Sequence, residues 1–487
     1  MEKLIFRTSQ AELPEDSGND TLTVLMYCNS YDTTKVPNLY VGKKLPHRLK
    51  QLHVNIPSRV LDFLTIALAI VTADTFVLRS NSENNWCRQM HLDIALSEPS
   101  FWDGEKDRLQ KTLAFLSGDV WDFTFTKGEY PFKFNEKLSR RSKNHIDFGV
   151  PDCICLFSGG LDSAIGAIDL YATGHKPLLV SHSYKGDKKH QDLIVKKLKK
   201  KFSKDDVQNL QLLAAPTGSN QIPGVRKGGR EITMRTRSIS FLAFGLLAAA
   251  SLRDFQSLFG HVPETTIDLF VPENGFISIN PPLTSRRLGS HSTHTTHPQF
   301  IAGIQKIWNN AGFNVRIVNP YQFKTKGEMC LNCKNFDLLK EIVSDTVSCS
   351  HWKRRHKQCG ICLPCLIRRA ALLRANIEED SANYENVNIR TAYDQKEVRD
   401  KKKDDIKSII SFIKETKELL SIKKKLIMSG LTPDEDRTDY LALLQRGRKE
   451  LKTLLNREKL RFDTIEKQEN QCRAQTRIEP AKTPISP

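Results

Sequence analysis

Cys153-Ile154-Cys155-Leu156-Phe157-Ser158-Gly159-Gly160-Leu161-Asp162-Ser163 runs from a short apolar, strand-like segment straight into a glycine turn. From Leu161 to Tyr171 apolar residues recur at helical spacing, so strand, turn and helix start follow one another with nothing between them. Two adjacent glycines let the backbone turn tightly and bring bare amide N–H groups up to an anion. The helix N-terminus behind them adds unpaired donors and a partial positive charge. Ser158 and Ser163 supply hydroxyls, and Asp162 is placed to orient a Mg²⁺ or to cap the helix. The stretch reads as a pyrophosphate cradle formed by Phe157, Ser158, Gly159, Gly160, Leu161, Asp162 and Ser163.

Downstream of this stretch, strands alternate with helices, which predicts a parallel sheet. Strands are expected at Pro177–Ser181, Gln208–Ala214, Ile267–Val271 and Val315–Val318. Helices are expected at His190–Phe202, Thr236–Leu252, Pro298–Asn310 and Lys326–Val343. Ligands of open α/β sheets sit beyond the carboxyl ends of the strands. Three loops fall there: the Gly159-Gly160 turn, His182 to Lys189, which adds His182 and Tyr184 to the nucleotide site, and Glu273 to His297. The last compresses Glu273, Asn274, Arg286, Arg287 and three histidines, His291, His294 and His297, beside the nucleotide site. It is read as the substrate loop, with Glu273, Asn274, Arg286, Arg287 and His297 as binding residues.

Residues 1–145 read as a separate α+β unit. Strand-like runs lie at Leu22–Tyr27, Met90–Ala95 and Val120–Phe125, and helices at Ser58–Thr72 and Glu105–Phe115. Trp86, Trp102 and Trp121 are assigned to its core, and Asn135 to His145 to a linker. Val60–Val71 is the most apolar run, but Asp62 interrupts it and it is too short to span a bilayer. Residues 379–487 read as a basic helical extension, Asp404–Leu420 and Asp439–Lys459, with a disordered tail after Glu469.

The chain has 487 residues, enough for two or three domains, and a formal charge of +18. Much of that charge lies in runs such as Lys196–Lys201 and Lys423–Lys425, which read as solvated helix faces, so nucleic acid is a possible but not a favoured partner. The start lacks a secretory apolar region, which predicts a cytoplasmic protein with no membrane partner. Six of the eleven cysteines fall between Cys330 and Cys365, a spacing for metal ligation in a reducing compartment. Cys349 with Cys359, Cys362 and Cys365 forms a four-thiolate set suited to a structural Zn²⁺, although spacing alone admits an iron–sulfur cluster. Cys330 and Cys333 read as spare buried thiols, and their Cys-x-x-Cys spacing also admits a second metal half-site or a redox pair.

The loop lacks the Walker and dinucleotide patterns and resembles instead the Ser-Gly-Gly-x-Asp-Ser motif of the ATP pyrophosphatase, or PP-loop, superfamily. Followed by the cysteine set, it resembles one branch of that superfamily, the QueC family of 7-cyano-7-deazaguanine synthases. Arg237-Ser-Ile-Ser-Phe241-Leu242, Thr325-Lys326-Gly327-Glu328, Ser348-Cys349 and Cys365-Leu-Ile-Arg368-Arg369 match further QueC segments. The resemblance covers roughly residues 150–375. It implies an adenine nucleotide alpha hydrolase-like, doubly wound domain over 146–378 with the zinc-cysteine insertion. It also implies ATP, Mg²⁺ and Zn²⁺ as cofactors, Asp162, Ser163, Lys326 and Arg237 as catalytic residues, and 7-carboxy-7-deazaguanine as substrate.

QueC proteins are considerably shorter and carry a Gly-Tyr-Pro-Asp-Cys-Arg substrate segment that the Glu273–His297 loop replaces here. The long form resembles QueC-like proteins of bacterial anti-phage defence, the QatC proteins of the Qat system and the QueC-like component of type IV CBASS. That resemblance implies transfer of the activated base to the amino terminus of a partner protein encoded nearby, with the added units as the acceptor surface. Two other readings stand beside it: nitrile formation with ammonia, and a tRNA-modifying PP-loop enzyme.

Overall fold

A computed structural model describes residues 2–15, 21–28, 37–52, 54–131, 151–184, 186–218, 230–231, 233, 235–258, 266–284, 294–349, 351–352, 357–378, 381–395, 400–430 and 432–460. Eleven strands are found among them: β1 (Glu2–Arg7), β2 (Thr21–Met26), β3 (Leu39–Val41), β4 (Gln89–Leu96), β5 (Val120–Lys127), β6 (Cys153–Leu156), β7 (Pro177–His182), β8 (Gln208–Leu212), β9 (Thr217–Gly218), β10 (Ile267–Phe270) and β11 (Val315–Val318). They form two sheets, ordered β5-β4-β1-β2-β3-β9 and β11-β10-β6-β7-β8.

The second sheet is parallel throughout. Every residue of β6 is buried, as a strand covered on both faces must be. Chain order reverses between β6 and β10, the crevice where doubly wound sheets take their ligands. The glycine turn leaves the carboxyl end of β6, and Glu273-Asn274 follow β10 on the other side of that crevice. The expected Lys326–Val343 helix is two helices, Lys326–Leu331 and Phe336–Ile342, broken at Asn332–Asn335.

The N-terminal unit departs from the α+β expectation. Strands β1 to β5 are all parallel, and only the two-residue β9 joins antiparallel, on the edge of β3. Its order is the same as that of the second sheet when strands are counted from the start of each unit. Equivalent helices then meet: Ser58–Phe76, which follows the third strand of the first unit, packs on Arg237–Leu258, which follows the third strand of the second. Pro99–Ser117 packs likewise on Pro298–Asn310. Gly303 permits that approach, since a Cβ there would lie 2.5 Å from Thr112 Oγ1.

Ser58–Phe76 is buried from Val60 onward because it is covered by its own sheet on one side and by Arg237–Leu258 on the other, so an all-round apolar helix is what the site requires. Among the described residues one helix, Arg237–Ser257, is long and apolar enough to cross a membrane, and its apolar surface lies in this seam. A buried ion network closes the seam. Asp74 accepts from Arg88 (2.6 Å) with one oxygen and from Thr236 N and Oγ1 (2.9 and 2.8 Å) with the other, while Asp119 pairs with Arg79 and Arg88. Trp102 and Trp121 are core, but Trp86 is half-buried and serves as a plate for Arg235, whose guanidinium lies 4.3 Å from its ring.

Helices Asp400–Glu415, Leu419–Ser429 and Arg437–Arg457 do not stand apart as an extension. They share one core with the four cysteines and with Phe276, Ile279 and Leu283. Gly275 and Gly447 allow the contact, because a Cβ on Gly275 would meet Gln322 O at 1.9 Å and one on Gly447 would meet the Phe276 ring at 2.3 Å. The expected linker at Asn135–His145 and the tail after Glu469 lie outside the described residues.

Candidate active site

Gly159 turns the chain with φ +82°, which a side chain would strain. Gly160 is the N-cap of the helix Leu161–Ala172 and makes no side-chain cap, leaving backbone donors for a ligand. The serines brace the turn: Ser158 Oγ accepts from Gly160 N (3.2 Å), Ser163 Oγ donates to Gly160 O (3.0 Å), and the two hydroxyls are 3.2 Å apart. Phe157 is a fully buried core side chain, and its N–H bonds Val180 O (2.8 Å), anchoring the loop to β7.

Asp162 is not a helix cap. It is buried, its Oδ2 accepts from Asn274 N (3.1 Å) and Nδ2 (2.7 Å), and Lys326 Nζ lies 2.8 Å from Oδ1. The carboxylate thus ties the cradle to the end of β10 across the crevice. Burial raises its pKa, but the Lys326 charge and hydrogen bonds more than offset this and hold it below the usual carboxylate range. Glu273 shows the opposite: burial first, then the Asp162 charge, push its carboxyl well above the ordinary value. Asn274 also caps the short helix Gly275–Ile279 through Ile277 N (3.0 Å).

His182 is buried among Tyr184, Phe241 and Phe244, with ring centroids 3.9, 5.6 and 5.1 Å away, so its ring belongs to the packing at the end of β7. The Arg237 guanidinium lies over the Tyr184 ring at 5.3 Å. Arg286, Arg287 and His291 lie outside the described residues. His294 stacks on Phe115 and bonds its backbone carbonyl through Nδ1 (2.9 Å). His297, expected to bind substrate, is instead the N-cap of the helix Pro298–Asn310: its Nδ1 accepts from Gln299 N (3.1 Å) and its ring packs on Phe115. Pro298 at the first helical position is the local signal for that role.

Two contacts at the loop have no local sequence signal. Gln191 is fully buried and donates to Ser158 O and His182 O (both 3.3 Å), and its Cγ would lie 3.2 Å from a Cβ on Gly159. Val347 N donates to Gly159 O (3.2 Å), laying the segment before Cys349 along the glycine turn.

The sulfurs of Cys349, Cys359, Cys362 and Cys365 lie within 4.8 Å of one another and all four residues are buried. Cys349 Sγ and Cys362 Sγ are 3.9 Å apart, and Cys359 Sγ and Cys365 Sγ 4.0 Å. A tetrahedron of Zn–S bonds of about 2.3 Å has edges of about 3.8 Å, so the set fits one Zn²⁺ and is too tight for a cluster with an iron at each thiolate. Amides of Cys359, His351 and Cys362 donate to the Cys349 or Cys359 sulfur at 3.2 to 3.4 Å, as thiolates require. Buried Arg368 links the cysteine helix Leu363–Arg374 to Thr346 Oγ1 (2.7 Å) and Val343 O (2.6 Å), and so to the Val347 segment. Cys330 and Cys333 are buried, and burial raises both thiols above their ordinary value.

The family model described as "Queuosine biosynthesis protein QueC" matches residues 295–376. The match takes in the helix Pro298–Asn310, β11, Lys326 and the four cysteines, and the glycine turn lies outside it. No curated protein matches the chain, and no solved structure does. The matched region is thus similar to part of a family of ATP-using enzymes, and it holds a buried cysteine cluster able to bind zinc.

Proposed function

We propose that this protein activates the carboxylate of a 7-deazaguanine with ATP and transfers the acyl group to an amine, the amino terminus of a partner protein encoded nearby, in bacterial anti-phage defence. One observation carries the reading: the QueC-matched region supplies both Val347, on Gly159 O, and Lys326, on Asp162, so the family segment and the glycine cradle form one site. In the first step a carboxylate oxygen attacks the α-phosphorus, the bond to the β-phosphate oxygen breaks, and pyrophosphate leaves. In the second the amine attacks the acyl carbon, the C–O bond to AMP breaks, and the amine proton passes to solvent. Carboxylates are poor acyl donors, so the chain's task is to hold the two reactants in line and to stabilise departing pyrophosphate.

The loop amides of Gly159 and Leu161 to Ser163 and the Ser158 hydroxyl are the donors for that charge, and Arg237 adds a cation at the Tyr184 side. Asp162 is engaged by Lys326 and Asn274, so it is not a free anion for Mg²⁺. The ion would enter on the nucleotide's phosphates.

The test incubates the enzyme with ATP, 7-carboxy-7-deazaguanine and the partner, and reads partner mass and pyrophosphate together. A deazaguanine adduct on the partner's first residue is expected, with pyrophosphate release lost in S163A. An unmodified partner beside ammonia-dependent nitrile would make this an elongated nitrile synthase. Altered tRNA nucleosides would favour the third reading, which the exposed lysines of the helix Asp187–Lys201 keep in view.

A further inference from the structure

Lys326 meets Asp162 from a helix whose first turn is gripped by two other helices. Thr325 and Glu328 form a reciprocal capping box: Thr325 Oγ1 accepts from Glu328 N (3.1 Å), and Glu328 Oε2 accepts from Thr325 N (2.9 Å). The Thr325 hydroxyl donates in turn to Glu450, a buried acid on the helix Arg437–Arg457. Arg374, at the end of the cysteine helix, donates to the same Glu450 oxygen and lies 3.3 Å from Glu328 Oε1. Arg446, one turn before Glu450, lies 2.8 Å from that Glu328 oxygen. Gly327 makes the approach possible: a Cβ there would come within 2.5 Å of Glu450 Oε1 and 2.7 Å of Arg374 Cδ. A surface brace between helices would have no reason to converge on the cap of one short helix; here three charged groups do so beside Lys326, which reaches from that turn to Asp162.

We infer that Glu450 is a positioning residue of the nucleotide site, acting through Thr325 and Lys326 on Asp162. The C-terminal helix is then an internal part of the ATP chemistry. This rests on the proposed reading of the cradle as an ATP site. It deepens that reading by giving the region beyond the QueC match a task in it.

The experiment measures ATP affinity by calorimetry on full-length protein, with zinc content as a check on the neighbouring helix. E450A and T325V are expected to weaken ATP binding about fivefold or more, while T325S, which keeps the hydroxyl, stays at the wild-type value. In a K326A background, E450A should add nothing further, because its effect passes through that lysine. Equal losses in the wild-type and K326A backgrounds would mean a merely structural brace and overturn the inference, as would soluble E450A with undiminished affinity. If E450A does not fold, E450Q, of the same volume, carries the same cycle. A wild-type protein that binds no ATP removes the parent reading and this one with it, and that control separates the two failures.

Discussion

His297 shows how one side chain changes role between sequence and structure. It closes a loop dense in polar residues, and sequence reading gives it a ligand; the fold gives it a helix N-cap with an exposure of 0 %. Burial, then the neighbouring His294, push its pKa down to about 3. Below about pH 6.5 the unfolded chain takes up a proton that the folded ring refuses, so this contribution to stability is complete above that pH and is lost as pH falls towards 3. Asn keeps the cap acceptor but does not titrate. Chemical denaturation of wild type and H297N should therefore give curves that diverge on acidification, wild type losing on the order of 1–2 kcal/mol relative to the variant between pH 6.5 and 5. Parallel curves would mean that the ring is protonated in the fold. H297A should cost about 1 kcal/mol even at neutral pH.

At the scale of elements, the cradle was legible because all of its determinants are local: β6, two glycines and a helix start occupy eleven consecutive residues. The four thiolates were legible for the same reason, since Cys-x-x-Cys steps bring sulfurs together within one turn of chain. What holds these elements was not. Gln191, Val347 and Glu450 have no motif and reach the site only through tertiary packing. The parallel N-terminal sheet is not legible in the sequence because β1 opens on Glu2-Lys3 and β3 has three residues, so neither shows a full alternation, and parallel pairing is a long-range property no local pattern records. The Val347 bridge yields a prediction that neither motif gives alone. Cys349→Ser should remove one Zn²⁺ per chain by elemental analysis, lower solubility, and slow pyrophosphate release in whatever protein stays folded, because the freed segment no longer braces Gly159. Iron in the purified wild type, or full activity in a zinc-free variant, would contradict this.

At the scale of the whole molecule, two units of the same strand order face one another through equivalent helices, and only the second carries a glycine cradle at the end of its first strand; the first has Arg7-Thr8-Ser9 there. Sequence reading makes residues 1–145 a detachable docking unit, so that their removal would cost partner binding more than ATP turnover. The seam argues otherwise. Arg237–Leu258 keeps its apolar surface covered by Ser58–Phe76, and Asp74 holds Thr236, the residue just before Arg237. Burial at about 25 cal/mol per Å² makes such a face costly to expose, and an uncovered apolar patch of this kind promotes association. Residues 146–487 expressed alone should therefore be insoluble or aggregated. Co-expressed with residues 1–140 as a separate chain they should be recovered as a complex, through either fragment's affinity tag, with pyrophosphate release restored. A soluble, monomeric 146–487 fragment with full ATP turnover would show the seam to be dispensable and return the N-terminal unit to a docking role alone.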